Sequence, residues 1–277
     1  MTVAAPTYTV HTLRLGTIRT DKSGTVHGFP PGTVLDVPIW AAAVEGGGHR
    51  FLVDTGLRDA AKWSGESPHT ITPSQMIDAA LAELGWRRRD MDLIINSHLH
   101  YDHSENNLAF PQAQFFVSRT EWDFAHDPHH DQAPLYDLEW TGSDLTFENY
   151  TLVDTENYDV LPGVRLIRTP GHTPGHQSVL VQTGEGTLCV TGDAACMMEN
   201  FSIPTPPGTH VARSAALESI RKISRLSDRV FMNHDPALTP YQNSSFPTPV
   251  TPPAGAPSEP KSQTVGMIGR ASCRERV

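Results

Sequence analysis

Apolar positions along this chain come in short blocks that alternate between strand-like runs and helical spacing. VLDVPIWAAAV and RFLVDTG flank the glycine-rich turn EGGGH and predict two paired strands. TPSQMIDAALAELG predicts a helix, with Thr72 as N-cap, Pro73 in the first helical position, Gln75 completing a capping box and Gly85 as the stop. DLIINS, from Asp92 to Ser97, is a short apolar strand that runs straight into HLHYDH. SRTEWDFA opens with Ser118 and Glu121 at capping-box spacing, which predicts a second helix. GVRLIRT, QSVLVQT and TLCVTGD read as strands, VARSAALESIRKISRL as a helix and RVFMNH as a last strand. The alternation predicts an α/β sandwich in which helices cover sheets. No fixed-period repeat interrupts it.

Composition narrows the function classes. A chain of 277 residues with 38% hydrophobic and 19% charged residues can bury a full core. A formal charge of −10 argues against a nucleic-acid groove, which needs a basic footprint, and against a polybasic membrane patch. No apolar run is long enough to span a bilayer. MTVAAPTYTV has no basic region followed by an apolar stretch, so no signal peptide is expected. Three cysteines, Cys189, Cys196 and Cys273, are too few and too scattered for a disulfide framework, which fits a cytoplasmic location.

The end of the chain departs from the body. IGRASCRERV, Ile268 to Val277, resembles the translation of a common sequencing adapter and is set aside as a scar, Cys273 with it. PTPVTPPAGAPSEPKSQ is rich in proline and serine and poor in large apolar residues, so disorder is expected there. The expected division is one domain over residues 1–235, a tail over 236–267 and the scar over 268–277.

The chemistry concentrates at strand ends. His98, His100, Asp102 and His103 follow DLIINS, His172 follows GVRLIRT, Asp193 follows TLCV and His234 follows RVFM. Imidazole and carboxylate suit Zn, Fe, Co and Mn alike. Loops leaving rigid strand ends can converge on one sheet edge, as a multi-ligand metal site requires. An extended turn sends residues i and i+2 to one side, so His98 and His100 can share an ion. A tight turn after Tyr101 can aim Asp102 and His103 at a second, and the glycines of TPGHTPGH allow close backbone approach. His11, His27, His49, His69 and His210 are read as ordinary histidines, and HDPHHD, His126 to Asp131, as a surface loop.

H-x-H-x-D-H followed in order by His, Asp and His resembles the metallo-β-lactamase superfamily. LDVPIW, LVDTG, SHLHYDH, RTEW, YDVLPGVRLIRTPGHTPGHQS, GDAACMMENF and NHD resemble its N-acyl-homoserine lactonases, from about Leu35 through Asp235. The resemblance implies an αββα sandwich with a binuclear metal site at one edge. It implies one divalent ion on His98, His100 and His172, a second on Asp102, His103 and His234, and Asp193 bridging them. Zinc is the ion expected, with Fe, Mn and Co accommodated by the same donors. Asp54, in DTG, is implied to orient ligands.

The implied reaction is hydrolysis of a small lactone by a metal-bridging hydroxide, with Asp102 passing the proton to the leaving alkoxide. No GxSxG elbow is present, and neither Cys189 nor Cys196 has an evident base. Two residues depart from the lactonase pattern. Cys196 stands where a tyrosine usually contacts the substrate carbonyl, and could serve there or simply fill the core. Glu105, in SENN, is expected to add a carboxylate near the site mouth. Other hydrolases of this fold remain open: a thioester hydrolase of glyoxalase II type, a pyridoxolactonase or a carboxylic-ester hydrolase. So does a metal-binding protein with reduced turnover. A β-lactamase is disfavoured because Asp193 stands where several of those enzymes carry a cysteine ligand.

Overall fold

In the computed structural model, residues 6–63, 68–137, 149–242 and 244–245 are described. Two long strands, β1 (Tyr8–Asp21) and β2 (Val34–Gly46), pair antiparallel. β3 (His49–Val53) returns along β2, and β4 (His69–Thr70) caps β1. α1 (Ile77–Glu83), β5 (Leu93–Ile95), the single turn α2 (Tyr101–Ser104), β6 (Gln114–Ser118), α3 (Arg119–His126) and β7 (Tyr150–Val153) follow. The second half comprises β8 (Asn157–Leu161), β9 (Val164–Arg168), β10 (Gln177–Thr183), β11 (Gly186–Val190), α4 (Glu199–Ser202), α5 (Arg213–Leu226) and β12 (Arg229–Phe231). The strand order β12-β11-β10-β1-β2-β3-β5-β6-β7 is continuous, because β1 touches β10 at Tyr8 and Thr183.

Three packed cores show how that sheet folds into layers. Tyr8, Val10, Trp40, Val53 and Ile95 meet Leu166, Val179, Val190 and Phe231 between the two sheet halves. On the outer face of the first half, Leu13, Leu15, Leu52 and Phe115 pack against Ala80 and Leu81 of α1 and Ala125 of α3. On the outer face of the second half, Ile167, Cys189 and Val230 pack against Ile220 and Ile223 of α5. The layers are therefore helix, sheet, sheet, helix, the αββα arrangement expected. Alternate residues along one strand serve different cores: Ala42 and Val44 face inward, Ala41 and Ala43 outward. Among the described residues, no helix is long and apolar enough to cross a membrane.

Several sequence expectations need correcting. The helix read from Thr72 is two elements. Pro73–Gln75 forms a 3-10 turn, Met76 is extended (φ −64°, ψ 139°), and α1 starts at Ile77. Gln75 Oε1 does accept the Thr72 N–H at 2.9 Å. Trp86 and Gly85 donate to the Leu81 and Ala82 carbonyls, which closes α1 as read. α3 starts at the position read, but Ser118 makes no side-chain cap and the Glu121 carboxylate turns inward.

The domain boundary read at Asp235 falls short. A 3-10 segment, Pro236–Tyr241, packs on the body with Leu238 fully buried, and Thr12 N–H donates to Ser244 O at 3.0 Å. The remainder of the expected tail and the scar lie outside the described residues.

Candidate metal centre

The seven expected ligands come together at one edge of the sandwich. β5 delivers His98 and His100 on an extended turn, with His100 at φ −61° and ψ 151°. α2 begins immediately after His100 and turns Asp102 and His103 to the other side. His172 comes from the β9–β10 loop, Asp193 from the turn after β11 and His234 from the turn after β12. The least buried of the seven, Asp102, is 8% exposed.

Three donor groups emerge, each with its ligand atoms within 4.8 Å of one another: His98, His100 and His172; His98, His103 and Asp193; and Asp102, His103 and His234. Asp193 lies between the outer two. Its Oδ2 is 3.5 Å from His172 Nε2. Its Oδ1 is 3.4 Å from His103 Nε2 and 3.3 Å from His234 Nε2.

The second ring nitrogens show which atoms are bare. His172 Nδ1 donates to Thr209 O at 2.8 Å, and His234 Nδ1 to Pro38 O at 2.9 Å. Each leaves Nε2 as a lone pair. His103 Nδ1 donates to Asp54 Oδ2 at 2.8 Å. Ser97 Oγ gives its one proton to Asp54 Oδ2 at 2.8 Å, so at 3.0 Å it accepts from His98 Nδ1. Asp54 takes two further donors, Ser97 N–H at 2.7 Å and Asn233 Nδ2 at 3.0 Å. It is the one non-glycine among the described residues with positive φ, 64°. That conformation costs about 1–3 kcal/mol and is kept where the surroundings over-determine it.

The donor set fits cations. His103 Nε2 and His234 Nε2 lie 3.3 Å apart, and His100 Nδ1 and His172 Nε2 3.0 Å apart. His98 Nε2 and Asp193 Oδ1 are buried with no hydrogen-bond partner among the described residues. Leaving such a group unsatisfied costs about 1–3 kcal/mol, and cations held at these atoms would remove that cost.

The electrostatics divide along the same line. Burial holds His98 and His100 well below the usual histidine value, and neighbouring imidazoles add to it. Burial also opposes charging His103, but Asp102, Asp193 and Asp54 outweigh it and raise its pKa to about 10. Burial opposes ionising Asp193, yet His234, His103 and His172 hold it well below the usual carboxylate range.

Two supporting residues were not anticipated. Glu121, fully buried, accepts Leu99 N–H at 3.1 Å, Tyr136 O–H at 3.0 Å and Thr173 O–H at 2.5 Å. It ties the loop of His98 and His100 to the loop of His172, and burial raises its pKa. Gly175 permits this contact, since a Cβ there would lie 2.0 Å from Glu121 N. His176, the second histidine of TPGHTPGH, is the other.

Glu105 is a correction. It is 1% exposed, and its carboxylate accepts Arg58 N–H at 2.6 Å, Asp59 N–H at 3.0 Å and Trp63 Nε1–H at 3.1 Å. It anchors the segment after β3 instead of facing substrate. Cys196 is 3% exposed and packs with Val26, Val37 and Met197. Burial, then the charges of Asp193 and Asp102, push its thiol well up. His69, read as ordinary, is buried and pairs with Tyr101 OH at 2.8 Å.

Comparison with known proteins identifies the family. The family model for the metallo-beta-lactamase superfamily matches residues 34–232. An N-acyl homoserine lactonase from Bacillus sp is 33% identical over 230 residues, covering 78% of this chain and 88% of that protein. The N-acyl homoserine lactonase AiiA of Bacillus thuringiensis subsp. kurstaki is 32% identical over 231 residues, with the same coverage, 78% and 88%. A solved N-acyl homoserine lactone hydrolase, with the product N-hexanoyl-L-homoserine bound at its catalytic metal center, superposes with a TM-score of 0.72. It is 29% identical and the match covers 87% of this chain and 96% of that one. The chain belongs to the metallo-beta-lactamase superfamily and, within it, to the family of the N-acyl homoserine lactonases.

Proposed function

We propose that this chain hydrolyses the lactone ring of N-acyl homoserine lactones, with His98, His100 and His172 holding one divalent ion and Asp102, His103 and His234 a second. Asp193 bridges them in this reading. The observation that carries it is the split of the Asp193 carboxylate, one oxygen towards His172 and the other towards His103 and His234. Zinc is the ion proposed, although His and Asp donors also take Fe, Mn and Co.

Bound ions would supply Lewis acidity, lowering the pKa of water towards neutrality and polarising the ester carbonyl. The chain's own contribution begins with Asp54, which fixes the His103 tautomer directly and the His98 tautomer through Ser97. Asp102 is the proton carrier. Its Oδ2 lies 3.5 Å from His234 Nε2 and 3.7 Å from His103 Nε2. It takes up the proton released as water attacks and returns it to the ring oxygen as the C–O bond breaks. The products are one carboxylate and one hydroxyl on the same molecule. Burial pushes both the Cys189 and Cys196 thiols up, which keeps them protonated and poor nucleophiles at neutral pH.

A panel of acyl-homoserine lactones, simple lactones and thioesters, followed by proton release in metal-replete protein, tests the reading. Ring opening of the homoserine lactones is expected to be fastest. Faster turnover of thioesters would transfer the site to a different hydrolase of the same fold.

A further inference from the structure

TPGHTPGH places a second buried histidine, His176, four positions after His172, and none of the roles above uses it. We infer that His176 is a positioning residue: it fixes the turn that carries Asp193 and so sets where the bridging carboxylate sits. This rests on the two-ion reading of the site.

The imidazole of His176 is fully buried at the start of β10. Its Nε2 accepts the backbone N–H of Asp193 at 2.9 Å. An imidazole nitrogen accepts only when its proton is on the other nitrogen, so Nδ1 must donate. Nδ1 lies 2.9 Å from Thr169 Oγ1. Thr169 Oγ1 lies 2.8 Å from Ser178 Oγ, and Ser178 Oγ donates to Thr191 O at 2.8 Å.

The last link fixes every proton before it. A carbonyl can only accept, so the Ser178 proton goes to Thr191. Ser178 therefore accepts from Thr169, and Thr169 accepts from His176 Nδ1. The chain has one direction, and it leaves Nε2 bare for Asp193. It also closes on itself: it starts at the amide of Asp193 and ends at the carbonyl of Thr191, two residues earlier on the same turn. Both ends of the turn are held from β10 and its entry.

The turn is pressed against that imidazole. Gly192 has φ +54°, and a Cβ there would lie 2.6 Å from His176 Nε2 and 2.6 Å from Ser97 Cβ. Asp193 itself sits in the turn at φ −93° and ψ 16°. Its two carboxylate oxygens must reach donor groups on opposite sides, so a small rotation of this turn moves both contacts at once. Any bulky apolar residue could fill the space of His176. Only an acceptor can hold the Asp193 amide.

The test compares His176→Leu, which fills the site without an acceptor, with His176→Gln, whose Oε1 can accept the amide while Nε2 donates to Thr169. Thr169→Val, which removes the acceptor for Nδ1, is a milder third variant should the first fail to fold. Amide hydrogen exchange at Asp193 is followed in metal-free protein, and binding of zinc and the visible spectrum of the cobalt-loaded form are measured alongside. His176→Leu and Thr169→Val are expected to speed Asp193 exchange and weaken the second ion by about 10–100-fold, the range for groups that orient ligands. The cobalt spectrum should change with them, and His176→Gln should restore both readouts most of the way. The inference is overturned if His176→Leu, or Thr169→Val in its place, leaves exchange and second-ion affinity unchanged, or if His176→Gln behaves like His176→Leu. Should the parent protein bind fewer than two ions, the two-ion reading fails, while Asp193 exchange in metal-free protein still decides the role of His176.

Discussion

Asp54 shapes this site without facing an ion. One carboxylate takes four hydrogen bonds, two from Ser97 and one each from His103 and Asn233. Asp54→Asn replaces an acceptor with a donor against His103 Nδ1. The second ion is expected to bind about 10–100-fold more weakly, read by competition with a chelator. The role of Asp54 was implied by the resemblance at DTG, and the seven proposed ligands were legible as candidates because each follows a short apolar strand. Glu121 and His176 were not. Glu121 is 22 residues from Leu99 and 52 from Thr173, and its spacing from Ser118 imitates a helix cap. His176 bonds across 17 residues to a backbone amide, which leaves no mark on side-chain pattern. Cys196 was left open between a substrate contact and core filling. It is buried among Val26, Val37 and Met197, while its thiol lies against Asp193 at the edge of the metal centre. Cys196→Tyr is therefore expected to destabilise the protein by about 1–3 kcal/mol through overpacking, measured by urea unfolding of the metal-replete form.

Among the elements, the segment that follows β3 stands out because one carboxylate takes three of its N–H groups. Glu105 gathers Arg58, Asp59 and Trp63, and Trp63 lies flat on Tyr101 with ring centroids 3.8 Å apart. Glu105→Ala is expected to speed amide exchange at Arg58 and Asp59 while two ions stay bound. A lost ion instead would place Glu105 in the metal centre. The strands that escaped the sequence reading have a physical reason for doing so. β1 sends Tyr8 and Val10 to the inner core and Leu13 and Leu15 to the outer one, so apolar residues fall on both faces and blur the two-residue period. Its register also shifts between Arg14 and Thr17. The helix at Thr72 shows the converse. Its start and stop signals were correct, but Met76 is extended between them, and periodicity does not report a single extended residue.

At the scale of the whole molecule, four layers present one edge where the turns after β5, β9, β11 and β12 meet. Alternating strand and helix blocks made helices covering sheets legible and the resemblance implied the αββα order, whereas the C-terminal limit was not legible. Pro236–Tyr241 reads as the start of a proline-rich tail, yet Leu238 is fully buried beside Trp40 and Phe231 in the inner core. Ending the chain after Asp235 is expected to cost about 2–5 kcal/mol, as for a buried leucine removed, and to lower Tm. Ending it just before Ile268 should leave Tm unchanged.

In the proposed reaction two ions, joined through Asp193, open a lactone. Zinc titration of metal-stripped protein, with ring opening of an N-acyl homoserine lactone followed at each step, tests it most directly. Activity is expected to rise to a plateau at two equivalents per chain, and Asp193→Ala to abolish that plateau. Full activity at one equivalent, or no ring opening at two, would contradict the account.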